Sequence, residues 1–477
     1  MSLQLERTDV LIIGSGLAAV TVALHLPDTF RVLLVTKGRM TETNSDLAQG
    51  GIASAYLEET GAAHVQDTLA ASKQTARADR VRLLVEAGRD VVRDMEQYGV
   101  SFDRDGDTYA LGREGAHGTS RIFHVGGDET GRHVMATLRD RLPNNVHVME
   151  HVLIDRLLQS EGRVMGASGF KGEARIQIQA GAVVLATGGV GGLVDWTSNC
   201  RAVTGDGLVL AKQAGAKLSN LTNIQFHPTL LAVETPVLVT EALRGAGATL
   251  VDAKGRHVMR HHPLGSLAPR DDVAAVLTAF PGQVYLETSR VERLAERFPK
   301  LAASCRAHHL DASSIPVRPG LHFQMGGVAV DAEGRTTVQG LYAVGEVAET
   351  GVHGKNRLAS NSLLECWVFG KRVAAAVELL DCDSGEKGGT AYEMTDEVFQ
   401  SFRRQIGKWL TISPAIDEIR SFLENTQQLT RTKHVTRQLA EQTLQLEAAR
   451  LLAHAFMERE GLDEPIGTAR STDTVFA

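Results

Sequence analysis

A β-branched apolar run, Asp9-Val10-Leu11-Ile12-Ile13, is cut short by Gly14-Ser15-Gly16-Leu17-Ala18-Ala19 and followed by a helical stretch, Val20 to Leu26. A second run, Arg31 to Thr36, arrives roughly twenty residues after the glycines, the spacing of a βαβ unit. In that setting each small residue has a task. Gly14 allows the tight turn, Gly16 lets a pyrophosphate approach the backbone, and Ala19 lets the helix pack close to the strand, so that the free N–H groups of the helix start face the phosphates. The pattern predicts an α/β chain with a Rossmann-like dinucleotide site built on Gly14, Ser15, Gly16, Leu17 and Ala18. One departure stands out: the acid that would hold a ribose at the end of the second strand is replaced by Thr36-Lys37.

Other strands end in glycine turns further along. They are Ala182 to Gly189 (AVVLATGG), Thr204-Gly205-Asp206-Gly207 opening a helix to Ala214, and Gly340 to Glu346 (GLYAVGE), the kind of strand end where open α/β sheets bind ligands. Their separation predicts a nucleotide domain assembled from two stretches, 1–220 and 323–381. Between them, 221–322 is rich in His, Arg and Pro and is expected to form a lid. Beyond Asp381 the composition turns to Glu, Gln, Arg and Leu, which predicts a helical domain at 391–477 after a linker at 382–390. Residues 63–98 read as helical, 130–142 as a further helix, and 154–178 as a hairpin-like segment after a strand near Val146.

Composition narrows the function. Fifty Lys+Arg against 57 Asp+Glu, net -7, leaves no electrostatic footprint for nucleic acid or an anionic membrane. No run approaches the ~18 apolar residues that span a bilayer, and the polar, acidic N-terminus does not read as a signal peptide, so a cytoplasmic protein is expected. Cys200, Cys305, Cys366 and Cys382 lie far apart without a C-x-x-C pair, which predicts reduced, buried thiols and no metal or iron–sulfur site. Glycine is the one excess, 47 of 477 residues.

The ordered motifs GSGLAA, AQGGIA, REGAH, ATGG, TGDG, FHPT, TEALRGAG, PRD, HFQMGGV, GLYAVGE, TGVHG and NRLASNSLLE run from Asp9 to about Glu365. On them the chain resembles the flavoproteins of the succinate dehydrogenase and fumarate reductase family, and most closely its soluble branch that oxidises L-aspartate. The resemblance implies a Rossmann-like FAD-binding domain with an inserted α+β capping domain and a C-terminal helical bundle. It implies FAD contacts at Ser15 to Ala18, Lys37, Asn44, Ser45, Gln49, Gly50, Gly51, Val152, Asp206, Glu346, Ser362 and Leu363. Membrane-bound relatives place a flavin-tethering histidine five residues before Q-G-G; Asn44 stands there, so FAD is expected to be noncovalent. The terminal segment, with Ile466 and Ala469 where the family usually has arginine and histidine, fits in part, and the helical domain is short for the family.

The same resemblance implies the chemistry. A dicarboxylic amino acid needs cations or donors for two carboxylates and an acceptor for its ammonium. Arg357 and His322 are expected at one carboxylate, and His227, Thr240 and Gln225 at the other. Arg270 is expected beside the reacting carbons as an electrostatic clamp, Glu241 to pair with Arg244 or Arg270, and Glu114 to meet the amine, since a carboxylate there repels succinate but attracts an ammonium. The implied reaction is hydride transfer from Cα of L-aspartate to flavin N5, giving iminoaspartate, with reoxidation by O2 or fumarate. That is the first step of NAD biosynthesis, and passing contact with quinolinate synthase follows from the imine's instability. The alternatives are a soluble fumarate reductase or succinate dehydrogenase-type flavoprotein, and a noncatalytic flavin-binding module.

Overall fold

A computed structural model describes residues 4–380 and 389–462. Cys382, the expected linker up to residue 388 and the terminal segment that holds Ile466 and Ala469 lie outside the described residues.

The first strand, β1 (Gln4–Ile13), runs longer than its apolar core, and the helix Leu17–His25 begins directly after Gly16. Then come β2 (Val32–Val35), β3 (Val146–Met149), β4 (Val152–Ser160), β5 (Arg163–Lys171) and β6 (Ala174–Leu185). They pair in the order β3-β2-β1-β6-β5-β4, the first four parallel and the last three an antiparallel meander. The expected hairpin is therefore three strands that enter the main sheet. Val10 to Ile13 are buried on both faces because a parallel sheet is covered on both sides. Alternate side chains serve different cores. Leu11, Ile13, Leu33, Val35, Val183 and Leu185 enter one, and Val10, Ile12, Val32, Leu34, Ala182 and Val184 enter the other.

The expected helix at 63–98 is broken into Ala62–Ala71, Ala78–Ala87 and Val91–Gln97. Lys73 and Gln74 adopt left-handed backbone after the first, which ends its helical path.

The insertion carries its own sheet. β7 (Ile224–Leu231), β8 (Thr249–Asp252), β9 (Val284–Glu287) and β10 (Ser314–Gln324) pair antiparallel in the order β7-β10-β9-β8, around a core that includes Leu243, Leu250, Val273 and Leu286. When the chain returns, β11 (Leu341–Ala343) pairs parallel with the tip of β6, Val183 to Leu185. Two stretches more than 150 residues apart thus share one sheet edge. The helix Asn361–Ala376 then packs beside Leu17–His25 on one face of the sheet. On the other face, Asp396–Trp409, Ile416–Gln427 and Arg437–Arg459 contribute Phe402, Trp409, Phe422 and Leu446 to the core behind β1.

Cys305 is buried, whereas Cys200 and Cys366 are partly exposed, Cys366 on the wall of the central cavity; all three are free thiols. Among the described residues no helix is long and apolar enough to cross a membrane, and no cluster of His, Cys, Asp and Glu could hold a metal.

Candidate active site

The strand ends of the main sheet and the underside of the insertion line one open cavity. Its lining takes in both the glycine turns of the main sheet and the charged residues of the insertion, so a cofactor cradle and a substrate end share one cavity. Gly14, Ser15, Gly16, Leu17, Ala18, Lys37, Asn44, Ser45, Gln49, Gly50, Gly51, Val152, Asp206, Glu346, Ser362 and Leu363 all border it, as do Glu114, His227, Thr240, Glu241, Arg270, His322 and Arg357. Gln225 does not. Its amide nitrogen donates to Asn356 Oδ1 (2.7 Å) and to the Arg357 carbonyl (2.8 Å), so the residue lies behind the wall and braces it.

The cofactor end is a backbone cradle. Gly14 has φ +122°, and a Cβ there would meet the Ala186 carbonyl at 2.1 Å, whereas Gly16 faces open space apart from Ser45 Oγ. Two helices, Leu17–His25 and Asn361–Ala376, begin at the cavity without a side-chain cap from their N-cap residues, leaving positive helix ends on its wall. Gln49 Oε1 is buried without a partner. This combination of bare backbone, helix starts and an orphan acceptor fits FAD.

Lys37 does something the sequence did not disclose. Its ammonium reaches Thr204 Oγ1 (2.7 Å), Asp206 Oδ2 (2.8 Å) and Glu441 Oε1 (3.3 Å). Burial pulls its pKa down, but the Asp206 and Glu441 carboxylates outweigh burial and leave it above the ordinary lysine value. Arg437, one turn earlier than Glu441, donates to the carbonyls of His151 (2.7 Å) and Lys37 (3.4 Å), so the last helix braces the cavity rim. Asn44 bonds Asn199 and, at 3.4 Å, Glu346 Oε2. Burial lifts Glu346 to about 7 against the lowering pull of the Gln324 N–H and Arg357.

At the opposite end the charges are arranged around two arginines. Glu241 Oε2 binds Arg270 Nε while Oε1 binds Arg244 Nη2 at 2.7 Å, so both carboxylate oxygens are spent on cations. Burial raises Glu241, and Arg270 and Arg244 together overcome that and hold it below the usual carboxylate range. Arg270 opens the helix Arg270–Ala279, with Nη1 3.4 Å from Gln225 Oε1. Arg357 has no acidic partner within ion-pair distance among the described residues. Its Nη1 donates to Ser362 Oγ (3.1 Å), Nη2 to His322 Nε2 (3.0 Å), its plane lies over Phe323, and Nε is buried without a partner. Burial, then the nearby Arg270 charge, lowers it to about 9.

Both histidines are neutral: burial first, then the Arg270 charge, puts each well below the ordinary value. His322 Nε2 accepts from Arg357, so its proton sits on Nδ1, against Ser198 Oγ at 2.7 Å. His227 Nδ1 accepts from the Thr229 N–H (3.2 Å), which leaves Nε2–H as a buried donor with no partner. Glu114 is buried and its pKa raised chiefly by burial, with Arg270 opposing.

Residues that sequence reasoning passed over are Ser198, Asn199, Thr204, Ser360 and Glu365, each of which hydrogen-bonds a residue of the cavity wall or borders it. Ser198 and Asn199 stand shortly before TGDG, whereas Thr204 lies in TGDG and Ser360 and Glu365 in NRLASNSLLE, motifs that marked the segments without singling out these side chains.

The FAD binding domain family matches residues 9–363. An L-aspartate oxidase of Bacillus subtilis is 44% identical over 382 residues, covering 78% of this chain and 72% of that protein. One of Streptomyces coelicolor is 43% identical, covering 77% and 68%. Among solved structures, a variant of the E. coli quinol fumarate reductase superposes with a TM-score of 0.83 at 26% identity, over 96% of this chain and 90% of that one. Fold, cradle and these matches define an FAD-dependent oxidoreductase that holds its flavin without a covalent tether, Asn44 offering no ring nitrogen for one. The chain belongs to the L-aspartate oxidase family, within the succinate dehydrogenase and fumarate reductase flavoproteins.

Proposed function

We propose that this enzyme oxidises L-aspartate to iminoaspartate, the opening step of NAD biosynthesis. The observation that carries the reading is Glu114, a buried carboxyl beside the arginines and neutral histidines of the cavity wall that, unlike Glu241, is in no ion pair among the described residues. A dicarboxylate without an amine gains nothing from it; an amino-dicarboxylate brings an ammonium that pairs with it.

Arg357 presents a guanidinium free of acidic partners to one carboxylate, and His322 holds that guanidinium in place. The orphan Nε2–H of His227 and the Thr240 hydroxyl serve the other. Arg270, oriented by Glu241, supplies positive charge beside the reacting carbons; an arginine is a poor base, so its role in this direction is electrostatic. Lid residues and sheet residues must close on one another to form the site, which excludes water from it. FAD, when bound, is the two-electron acceptor, regenerated by O2 with release of peroxide or by fumarate. The imine is unstable in water, which favours handing it to quinolinate synthase in the cytoplasm.

The test is peroxide production when L-aspartate is added to the FAD-loaded protein, with D-aspartate and succinate alongside. Succinate oxidation without turnover of L-aspartate would replace this reading with a succinate dehydrogenase-type activity.

A further inference from the structure

Among the described non-glycine residues with left-handed backbone, Ser360 alone borders the cavity, at φ +61°. Such a conformation is unfavourable for a side-chain-bearing residue and persists where its surroundings demand it. Ser360 immediately precedes the helix Asn361–Ala376, the usual place for a capping serine, yet its hydroxyl does not cap the helix. Oγ donates instead to Glu114 Oε2 at 2.6 Å, the one side-chain hydrogen bond to that carboxyl among the described residues. The Ser360 carbonyl is itself tied down, accepting from the Ala53 N–H at 3.0 Å. Gly50 completes the seat: a Cβ there would stand 2.9 Å from Glu114 Oε1 and 3.2 Å from Ser360 Oγ. The charged groups facing Glu114 are Arg270, Glu241 and Arg357, and Glu241 is already committed to its two arginines.

We infer that Ser360 is a specificity-determining positioning residue: by holding the Glu114 carboxyl in one orientation it sets the preference for an amino-dicarboxylate over a dicarboxylate without an amine. The inference rests on the proposed reading of Glu114 as the group that meets the substrate's ammonium. A donated hydrogen bond favours the charged form of a carboxyl, here against the burial that disfavours it. Without it, Glu114 takes up a proton more readily and turns from the cavity, and the ammonium loses its counter-charge. The grip of Arg357 and His227 on the carboxylates does not depend on it.

The test compares the parent enzyme with Ser360→Gly and Ser360→Ala. Glycine accepts a left-handed backbone freely, so Ser360→Gly keeps or raises the melting temperature, while Ser360→Ala retains the backbone penalty and lowers it. In both, kcat/KM for L-aspartate falls about ten-fold or more, chiefly through KM. The acid limb of its pH profile moves to higher pH, and the inhibition constant of succinate changes far less. Equal losses for the two ligands, or an unchanged Ser360→Gly, overturn the inference and leave the function standing. A parent enzyme that does not oxidise L-aspartate overturns the function and the inference with it.

Discussion

Arg357 donates through Nη2 to His322 Nε2 at 3.0 Å, and no carboxylate of the described chain shares its guanidinium. An arginine buried on those terms is costly to the apoprotein and awaits an anion. Replacing it with leucine should therefore separate stability from binding. Arg357→Leu is expected to raise apoprotein stability by about 1–3 kcal/mol and to weaken L-aspartate by roughly 2–5 kcal/mol in kcat/KM. Thermal unfolding and steady-state kinetics on one preparation measure both, and a variant that loses stability contradicts the account.

Glu241 has the opposite character: among the described residues it alone is within ion-pair distance of the two buried arginines, Arg244 and Arg270. Glu241→Leu strands both, and the expected cost is about 3–5 kcal/mol of folding stability, read from the denaturation midpoint. Arg270→Leu leaves Glu241 its second partner and should fold, retain FAD and show no flavin reduction by L-aspartate. Measurable turnover in that variant removes Arg270 from the chemistry.

Buried titratable groups give the apoprotein two opposed pH dependences. Burial lowers His64 and His117 to about 4 each from an ordinary 6.5. Between those values the unfolded chain binds protons that the native chain refuses, so their contribution is lost as pH falls through that window. Burial raises Glu346 to about 7 from 4.5, so the native state binds the extra proton there and stability declines as pH rises from 4.5 to 7. Glu346→Gln should remove the second slope and stabilise the apoprotein above pH 7 by roughly 3 kcal/mol at most. Urea denaturation across pH, parent against variant, isolates it; an unchanged slope refutes the assignment.

Gly14→Ala places a methyl group 2.1 Å from the Ala186 carbonyl, on a backbone at φ +122°. The clash is with the main chain of Ala186 and Thr187, just past β6, so it cannot be relieved by a rotamer. Loss of FAD from the purified protein is expected, with at least ~2 kcal/mol of destabilisation. Gly16→Ala meets only Ser45 Oγ at 3.2 Å and should fold normally while binding FAD more weakly, as flavin fluorescence titration would show.

Local chemistry made half of this molecule legible in one dimension. The strand, glycine turn and helix at Asp9 to Leu26 are readable because φ at Gly14 and the alternation of apolar side chains are properties of neighbouring residues, as are the three long helices after residue 395. Of the residues expected at the site, all but Gln225 border the cavity. Pairings across distance were not readable. Nothing near Lys37 foretells that its charge is shared between Asp206 and Glu441, nothing near Gln225 foretells that its amide is consumed behind the wall, and nothing near Glu114 foretells Ser360. The first depends on the helix Arg437–Arg459 packing back on the sheet, and the other two on β11 returning beside β6 after the whole insertion, which brings Arg357 and Ser360 to the cavity wall beside residue 114. Covalent neighbours dictate which elements form; burial and desolvation, acting only once the chain has closed on itself, dictate which charges are paired and which are left to meet a ligand.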